Sequence, residues 1–432
     1  MAASLTSRTL ARPAFESAFE PPAYLRAMLD FEAALAAAEA AEGIIPEAAA
    51  AAIAKARAGV SFDVEALVAE AKRQGTLVVP FVKTLRAAVE AIAPEAARHL
   101  HFGSTTQDVL DTAMALCLKP CLDEADRALE AAIRSLARRA REHRATPMAG
   151  RTLMQPAVPI TAGLKLARWA TALAQDRERL ADAAAAGLAV QFGGAVGALE
   201  LLGPKGPAVR HRIALALGLA DAPEWHSHRN NWLDLLDRIG LVVVTAGKIA
   251  RDLSLLGQAE VGEMRDAPPQ EGVGGSSAMP HKRNPVGCLH ALAAAARMPG
   301  LLATVHLGAA QLEHERALGG WQSEWPTIAA LCETLGSAVE AMKEVAPGLS
   351  VDTDAIRANM DATEAAVMAE RATFLLAEKI GKQKAHAIVE KALAKGGSFI
   401  EALGQLEKEL GDEQGLLGYS PHFVDRLLRS LR

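Results

Sequence analysis

Residues 231–256 read NWLDLLDRIGLVVVTAGKIARDLSLL. Trp232, Leu235, Ile239, Val242, Val243, Ala246, Ile249, Leu253 and Leu256 recur at three- and four-residue steps, the period of an α-helix sustained for about seven turns. Leu241 and Val244 are apolar as well and fall off that stripe, so more than one face of the helix calls for burial. A helix of that kind is a central member of a bundle, packed against other helices or other copies of the chain. The β-branched run at Val242 to Val244 is too short and isolated to make a sheet. Outward from this stretch, long helices are expected at 106–119, 122–144, 160–188 and 284–312, with Pro120 ending the first. Shorter helices are expected at 23–42, near 47–58, at 63–72 and at 80–92. Beyond Pro347 and Gly348 the periodicity predicts others at 353–360, 363–380, 382–395 and 399–410. No convincing strand set and no solenoid repeat is visible. The expected fold class is all-α with three helical domains: 1–103, a central long-helix bundle at 104–346, and 347–432.

Composition supports this and removes several function classes. The chain has 432 residues, enough for a large core, and alanine runs with only 4% aromatics mean helices packed closely through small side chains. A net charge of −5 without any long Lys/Arg run argues against a nucleic-acid surface. The four cysteines form no disulfide framework. Cys117 and Cys121 amount to half a metal site at most, and no metal is expected. No stretch of 18 uncharged apolar residues suggests a membrane span, and a cytoplasmic protein is expected.

Residues 263–285, EMRDAPPQEGVGGSSAMPHKRNP, break the helical texture. Pro268 and Pro269 stop what precedes, Gly272, Gly274 and Gly275 loosen the chain, and Pro285 suits the first turn of a new helix. Backbone N–H groups at that helix start, with Lys282 and His281, would favour an anion. A flexible segment with serine oxygens beside an anion-binding helix start suits a site that closes over a carboxylate. The Gly-x-Ser-x-Gly of serine hydrolases and the Gly-Lys-[Ser/Thr] of phosphate loops are both missing. The plain alternative is a surface loop before a helix.

Within that stretch GSSAMPHKRNP, residues 275–285, closely resembles the GSSxMPxKxNP signature of the fumarase/aspartase superfamily. Two further segments resemble the superfamily's in the same order: HFGSTTQD at 101–108, followed by Asp111, Thr112 and Ala113, and GRTLMQPAVP at 150–159. The adenylosuccinate-cleaving branch would carry a catalytic histidine after Thr152, and here stands Leu153. QFGGA at 191–195, EHER at 313–316 with Trp321, Glu324 and Trp325, and PEWH at 223–226 instead resemble the 3-carboxy-cis,cis-muconate cycloisomerase branch, with His228 where glutamine is expected. The resemblance implies a cofactor-free cycloisomerase acting on a small polycarboxylate, and a homotetramer whose sites are each shared between three subunits. Another lyase of the superfamily, or a catalytically silent helical oligomer, are the alternatives.

In such a reaction negative charge builds on a substrate carboxylate while a proton moves at the neighbouring carbon, so preorganised donors dominate. The resemblance makes Ser276 the proton carrier, with Ser277 the alternative, and Lys282 its electrostatic support. Thr105, Thr106, Ser277, His281 and Asn284 are the expected substrate contacts. His101 either binds carboxylate or caps a helix. Gln191 either meets substrate or pairs with the Gly193–Gly194 turn. Arg316 either holds a carboxylate bidentately or pairs with Glu313 and Glu315. His226 and His228 lack a third metal ligand, and His314 reads as surface.

Overall fold

A computed structural model describes residues 5–266, 273–276, 278–279, 281–394 and 420–431. The expected helix at 399–410 and the residue Ser277 lie outside them. Short helices α1 (Leu5–Arg8) and α2 (Pro13–Ser17) lead into α3 (Pro21–Ala41), α4 (Glu47–Gly59), α5 (Val64–Gln74) and α6 (Val78–Ile92). The long helices are α7 (Thr106–Glu142), α8 (Ala162–Gly187), α10 (Asn230–Leu256), α11 (Val286–Ala310) and α12 (Gly320–Gly348), with α9 (Gly206–Leu217) between α8 and α10. Four shorter ones follow: α13 (Thr353–Ala362), α14 (Glu364–Ile380), α15 (Lys382–Ala394) and α16 (Ser420–Arg429). The all-α expectation holds, and α1, α2, α9, α12 and α16 are additions to the expected set. Local chemistry sets several ends. Asp63 and Asp352 cap α5 and α13 by accepting from Ala66 N and Ala355 N, and Gly75 closes α5 in the left-handed conformation.

By compactness the chain forms two units: 1–127 with 176–244 and 294–338, and 128–175 with 245–293 and 339–432. This partition follows contacts, whereas the three-part division follows helix length along the chain.

Two expectations are corrected. Pro120 does not end a helix, because α7 runs through it. Its ring is exposed while Cys117, Leu118, Cys121 and Leu122 around it are buried. Burial of several such side chains, at about 1.5–3 kcal/mol for a leucine, outweighs a proline cost of about 3 kcal/mol. The Cys121 thiol also donates to the Cys117 carbonyl at 3.6 Å. Strands are present too: β1 (Pro147–Thr152) pairs antiparallel with β2 (Gln155–Thr161), and β3 (Met264–Arg265) with β4 (Ser350–Val351). Both ladders are short and the first is proline-bearing, so neither shows a period-two signal.

In the first unit α3 buries Met28, Phe31, Leu35 and, among them, Glu32 and Glu39. Neither Glu39 oxygen has a hydrogen-bond partner among the described residues. Burial, with the Glu32 charge second, pushes Glu39 from 4.5 up to about 8. The folded chain therefore binds this proton more tightly than the unfolded one. Stability is complete below about pH 4.5 and is lost as pH rises through 8. Glu39→Gln removes that loss. Its stability relative to wild type should be unchanged at pH 4 and higher by about 4–5 kcal/mol at pH 9, at about 1.4 kcal/mol per pH unit. Denaturant melts at the two pH values check this, and equal midpoints at pH 9 would refute the proton on Glu39.

Candidate active site

Three of the expected residues sit where α7 begins. Its first residue is Thr106, and the amide of Thr105 donates to Asp108 Oδ2 at 3.0 Å. Asp108 is buried and also receives Gln191 Nε2 and Gly193 N on Oδ1, and Gly194 N on Oδ2, all at 3.0 Å. Four donors on one carboxylate tie the start of α7 to the 191–194 turn. Burial nevertheless pushes Asp108 up to about 6, against those hydrogen bonds. Arg316 donates from Nη2 to Thr105 Oγ1 at 2.7 Å and to the Ala195 carbonyl at 3.0 Å. Thr105, Arg316 and the N-terminal end of a 37-residue helix thus meet, a natural cradle for an anion. Glu313 instead accepts from Leu318 N, and no ion pair joins it or Glu315 to Arg316 among the described residues.

Gln191 is fully buried and both ends of its amide are engaged: Nε2 with Asp108, and Oε1 accepting from Trp225 N at 2.7 Å. Its backbone exchanges two hydrogen bonds with the Thr112 hydroxyl. The geometry makes Gln191 a brace for the site wall and not a contact open to substrate. His101 takes the left-handed conformation, φ 62°, and its Nδ1 lies 2.6 Å from Glu32 Oε1. Burial pulls its pKa down, but the charge and hydrogen bond of Glu32, with Asp108 behind, outweigh this and raise it. His226 is buried with neither ring nitrogen hydrogen-bonded among the described residues, and burial lowers its pKa. Its carbonyl accepts from Gln107 Nε2. His314 is exposed, as its surface reading requires, and His228, which stands where glutamine is expected, is exposed as well.

Behind this wall lies a network that the motifs mark without explaining. Arg229 is fully buried and binds Asp111 through both Nη atoms, at 2.7 and 3.2 Å, and Glu324 at 2.8 Å. Asp111 also accepts from Trp321 Nε1 and from Gln107. The guanidinium lies 4.7 Å from the Trp225 ring centroid and 6.0 Å from that of Trp232. Sequence reasoning passed over Arg229. The one available signal was the spacing that sets an arginine beside PEWH in a chain with only five tryptophans.

The second unit carries the serine loop. Gly274 is left-handed (φ 68°), and its carbonyl accepts from Asn284 N at 2.8 Å. A side chain there would stand 2.5 Å from the Asn284 carbonyl oxygen, so only glycine fits. Gly275 bridges Arg283. These two contacts close the loop on itself and bring Ser276 to the position where its Oγ accepts from Met279 N at 3.2 Å. Lys282 N donates to the Met279 carbonyl, and the side chains of Lys282 and His281 are exposed. Helix α11 starts at Val286, one residue beyond Pro285, whose carbonyl accepts the first helical bond from Leu289.

The GRTLMQPAVP segment is also in this unit, as the β1–β2 hairpin. Leu153 and Met154 form its two-residue loop, both at positive φ (51° and 67°) as a type I′ turn demands, and are 97% and 67% exposed. Arg151 from β1 forms a two-bond pair with buried Glu263 at 2.6 and 2.8 Å, and Asn359 donates to the same carboxylate. Lys165 on α8 has its pKa lowered, by burial first. No group of three or more metal-ligating side chains occurs among the described residues.

The comparisons with known proteins agree with this geometry. A family model described as Lyase matches residues 7–300. The 3-carboxy-cis,cis-muconate cycloisomerase of Bradyrhizobium diazoefficiens is 43% identical over 444 residues, covering 99% of this chain and 98% of the relative. The nitrosuccinate lyase of Streptomyces davaonensis is 39% identical, covering 95% and 91%. The crystal structure of the 3-carboxy-cis,cis-muconate lactonizing enzyme from Pseudomonas putida matches with a TM-score of 0.90 at 36% identity, covering 99% of this chain and 98% of that one. With the signature loop, the α7 cradle and the hairpin all in place, the chain belongs to this lyase family, the fumarase/aspartase superfamily.

Proposed function

We propose that the chain converts 3-carboxy-cis,cis-muconate to 4-carboxymuconolactone without a cofactor. The supporting observation is end-to-end likeness, at 43% identity, to a relative of that name. One muconate carboxylate oxygen adds to the carbon β to a second carboxylate and forms the ring C–O bond. The displaced π pair moves onto the α-carbon and its carboxylate, giving an aci-carboxylate. Ser276 delivers its proton to the α-carbon, and the alkoxide it becomes is held by Lys282 and by the Met279 N–H. Arg316, Thr105, Thr106, His101 and the α7 start hold the carboxylates, with His281, Asn284 and Ser277 completing the contacts from the loop. Donors of this kind contribute about 3–4 kcal/mol of barrier lowering each.

The test is ultraviolet absorbance of 3-carboxy-cis,cis-muconate mixed with purified, metal-stripped protein. Rapid loss of the diene signal is expected. Persistence of that signal, with turnover of nitrosuccinate instead, would move the reading to the second relative's chemistry.

The working form is proposed to be a cytoplasmic homotetramer whose three motif segments come together from different copies. Leu241 and Val244 on α10 are exposed in the single chain, as are Leu289 and Leu307 on α11. Among the described residues α11 is the one helix long and apolar enough to cross a membrane, and only 28% of its most apolar stretch is buried. Another copy covering these faces accounts for them, with Arg297 and Pro299 in the middle of α11 arguing against lipid. Native mass measurement should give four chains, and a stable, active monomer would end the shared-site reading.

A further inference from the structure

We propose that Glu32 is a positioning residue that keeps His101 protonated and turns its second ring N–H toward a substrate carboxylate. The inference rests on the polycarboxylate reading above. Glu32 is 1% exposed, and its one hydrogen bond among the described residues is to His101 Nδ1 at 2.6 Å. Its other oxygen, Oε2, is buried without a hydrogen-bond partner, so His101 is the cation that compensates this carboxylate among the described residues. A buried carboxylate left without a cation is costly, and a neutral imidazole would leave it so. The His101 side chain is 19% exposed, so it bridges the buried acid and the open side of the cradle. With Nδ1 engaged, Nε2 is the nitrogen left to face a ligand.

The backbone supports a fixed orientation. His101 adopts φ 62°, a conformation unfavourable for a non-glycine residue, and Gly103 two residues on is also left-handed. Such a turn holds the ring against α3 at the approach to Thr105 and Thr106. The charged groups facing His101 come from three elements. Glu32 on α3 and Asp108 on α7 favour the imidazolium, while Arg86 on α6 opposes it. Glu39, further along α3, adds its negative charge to Glu32's neighbourhood only when it ionises, near pH 8. The consequence is an imidazolium favoured beyond the ordinary histidine range, beside a cradle suited to anions.

The experiment is a histidine-ring NMR titration of the full-length, unliganded protein, paired with the pH dependence of kcat and KM for 3-carboxy-cis,cis-muconate. In wild type His101 is expected to titrate above 6.5, and in Glu32→Gln at least one pH unit lower. The rise of KM on the alkaline side should move down by the same interval, giving roughly tenfold weaker KM at pH 7.5 while kcat at low pH is kept. Glu32→Asp, which restores the charge, should return the limb toward its wild-type position. Titration of wild-type His101 at or below 6.5 overturns the proposal. So does an unmoved KM limb in folded Glu32→Gln, or equal damage at every pH in both variants. If 3-carboxy-cis,cis-muconate is not turned over, the functional reading fails while the unliganded titration still decides the ion pair.

Discussion

Replacing Ser276 by alanine is expected to lower kcat for lactone formation by about 10²–10⁴-fold with KM nearly unchanged, the range for loss of a positioned proton carrier. The expectation comes from where the loop puts the hydroxyl. Gly274 closes on Asn284, and Met279 N donates to Ser276 Oγ at 3.2 Å, so one amide already points at the oxygen that must carry negative charge. A hydroxyl is a weak acid and base unless that charge is met by preorganised donors, and Lys282 in the same loop supplies the rest. Binding should survive because the carboxylate contacts proposed for Arg316 and Thr105 are untouched. Steady-state kinetics with a circular-dichroism check for folding decides it. Turnover within a few-fold of wild type would remove Ser276 from the chemistry. A larger loss in Ser277→Ala than in Ser276→Ala would transfer the role to its neighbour.

The second large effect falls on stability. Arg229→Met is expected to cost about 3–5 kcal/mol, because it strands two buried carboxylates, Asp111 and Glu324, that now share one guanidinium. Arg229→Lys should recover only part of the loss. A single ammonium cannot reproduce the fork that meets both acids, nor the planar contact over the Trp225 ring with Trp232 close by. Glu324→Gln, which removes one of the two negative charges, should soften the Arg229→Met defect when combined with it. Urea melts followed by tryptophan fluorescence report this directly, since three tryptophans line the network. An Arg229→Met midpoint close to wild type would show that the pair is dispensable.

Much of the fold was legible because helix periodicity is a local signal. The stripe from Trp232 to Leu256 predicts α10 to within one residue of its observed start. What escaped depends on contacts distant in sequence. Pro120 reads as a stop by its own chemistry, and only the burial of Cys117, Leu118, Cys121 and Leu122 around it lets the helix continue. The β1–β2 hairpin turns on Leu153 and Met154, residues that carry no turn signal of the Asn-Gly kind. The site was legible where a motif concentrates it, as at 101–108 and 275–285. The motif leaves Gln191 open between substrate contact and scaffold, and the burial that favours the second is a tertiary fact. Glu32 sits in an alanine-rich helix 69 residues before His101, and nothing in the local pattern distinguishes it from a solvated acid.

Asp108 has a consequence for how this chain can change over generations. One carboxylate accepts from Thr105, Gln191, Gly193 and Gly194, so four positions from two remote stretches answer to a single side chain. Three of these donors are backbone amides that any residue but proline supplies, so the side-chain constraint falls on Asp108 and Gln191, and a change at position 108 leaves donors unmatched in both stretches at once. The HFGSTTQD and QFGGA segments are therefore coupled through Asp108. A lineage that acquires a new substrate should alter residues facing the cradle, such as Arg316 or His101, long before it touches the knot that holds them.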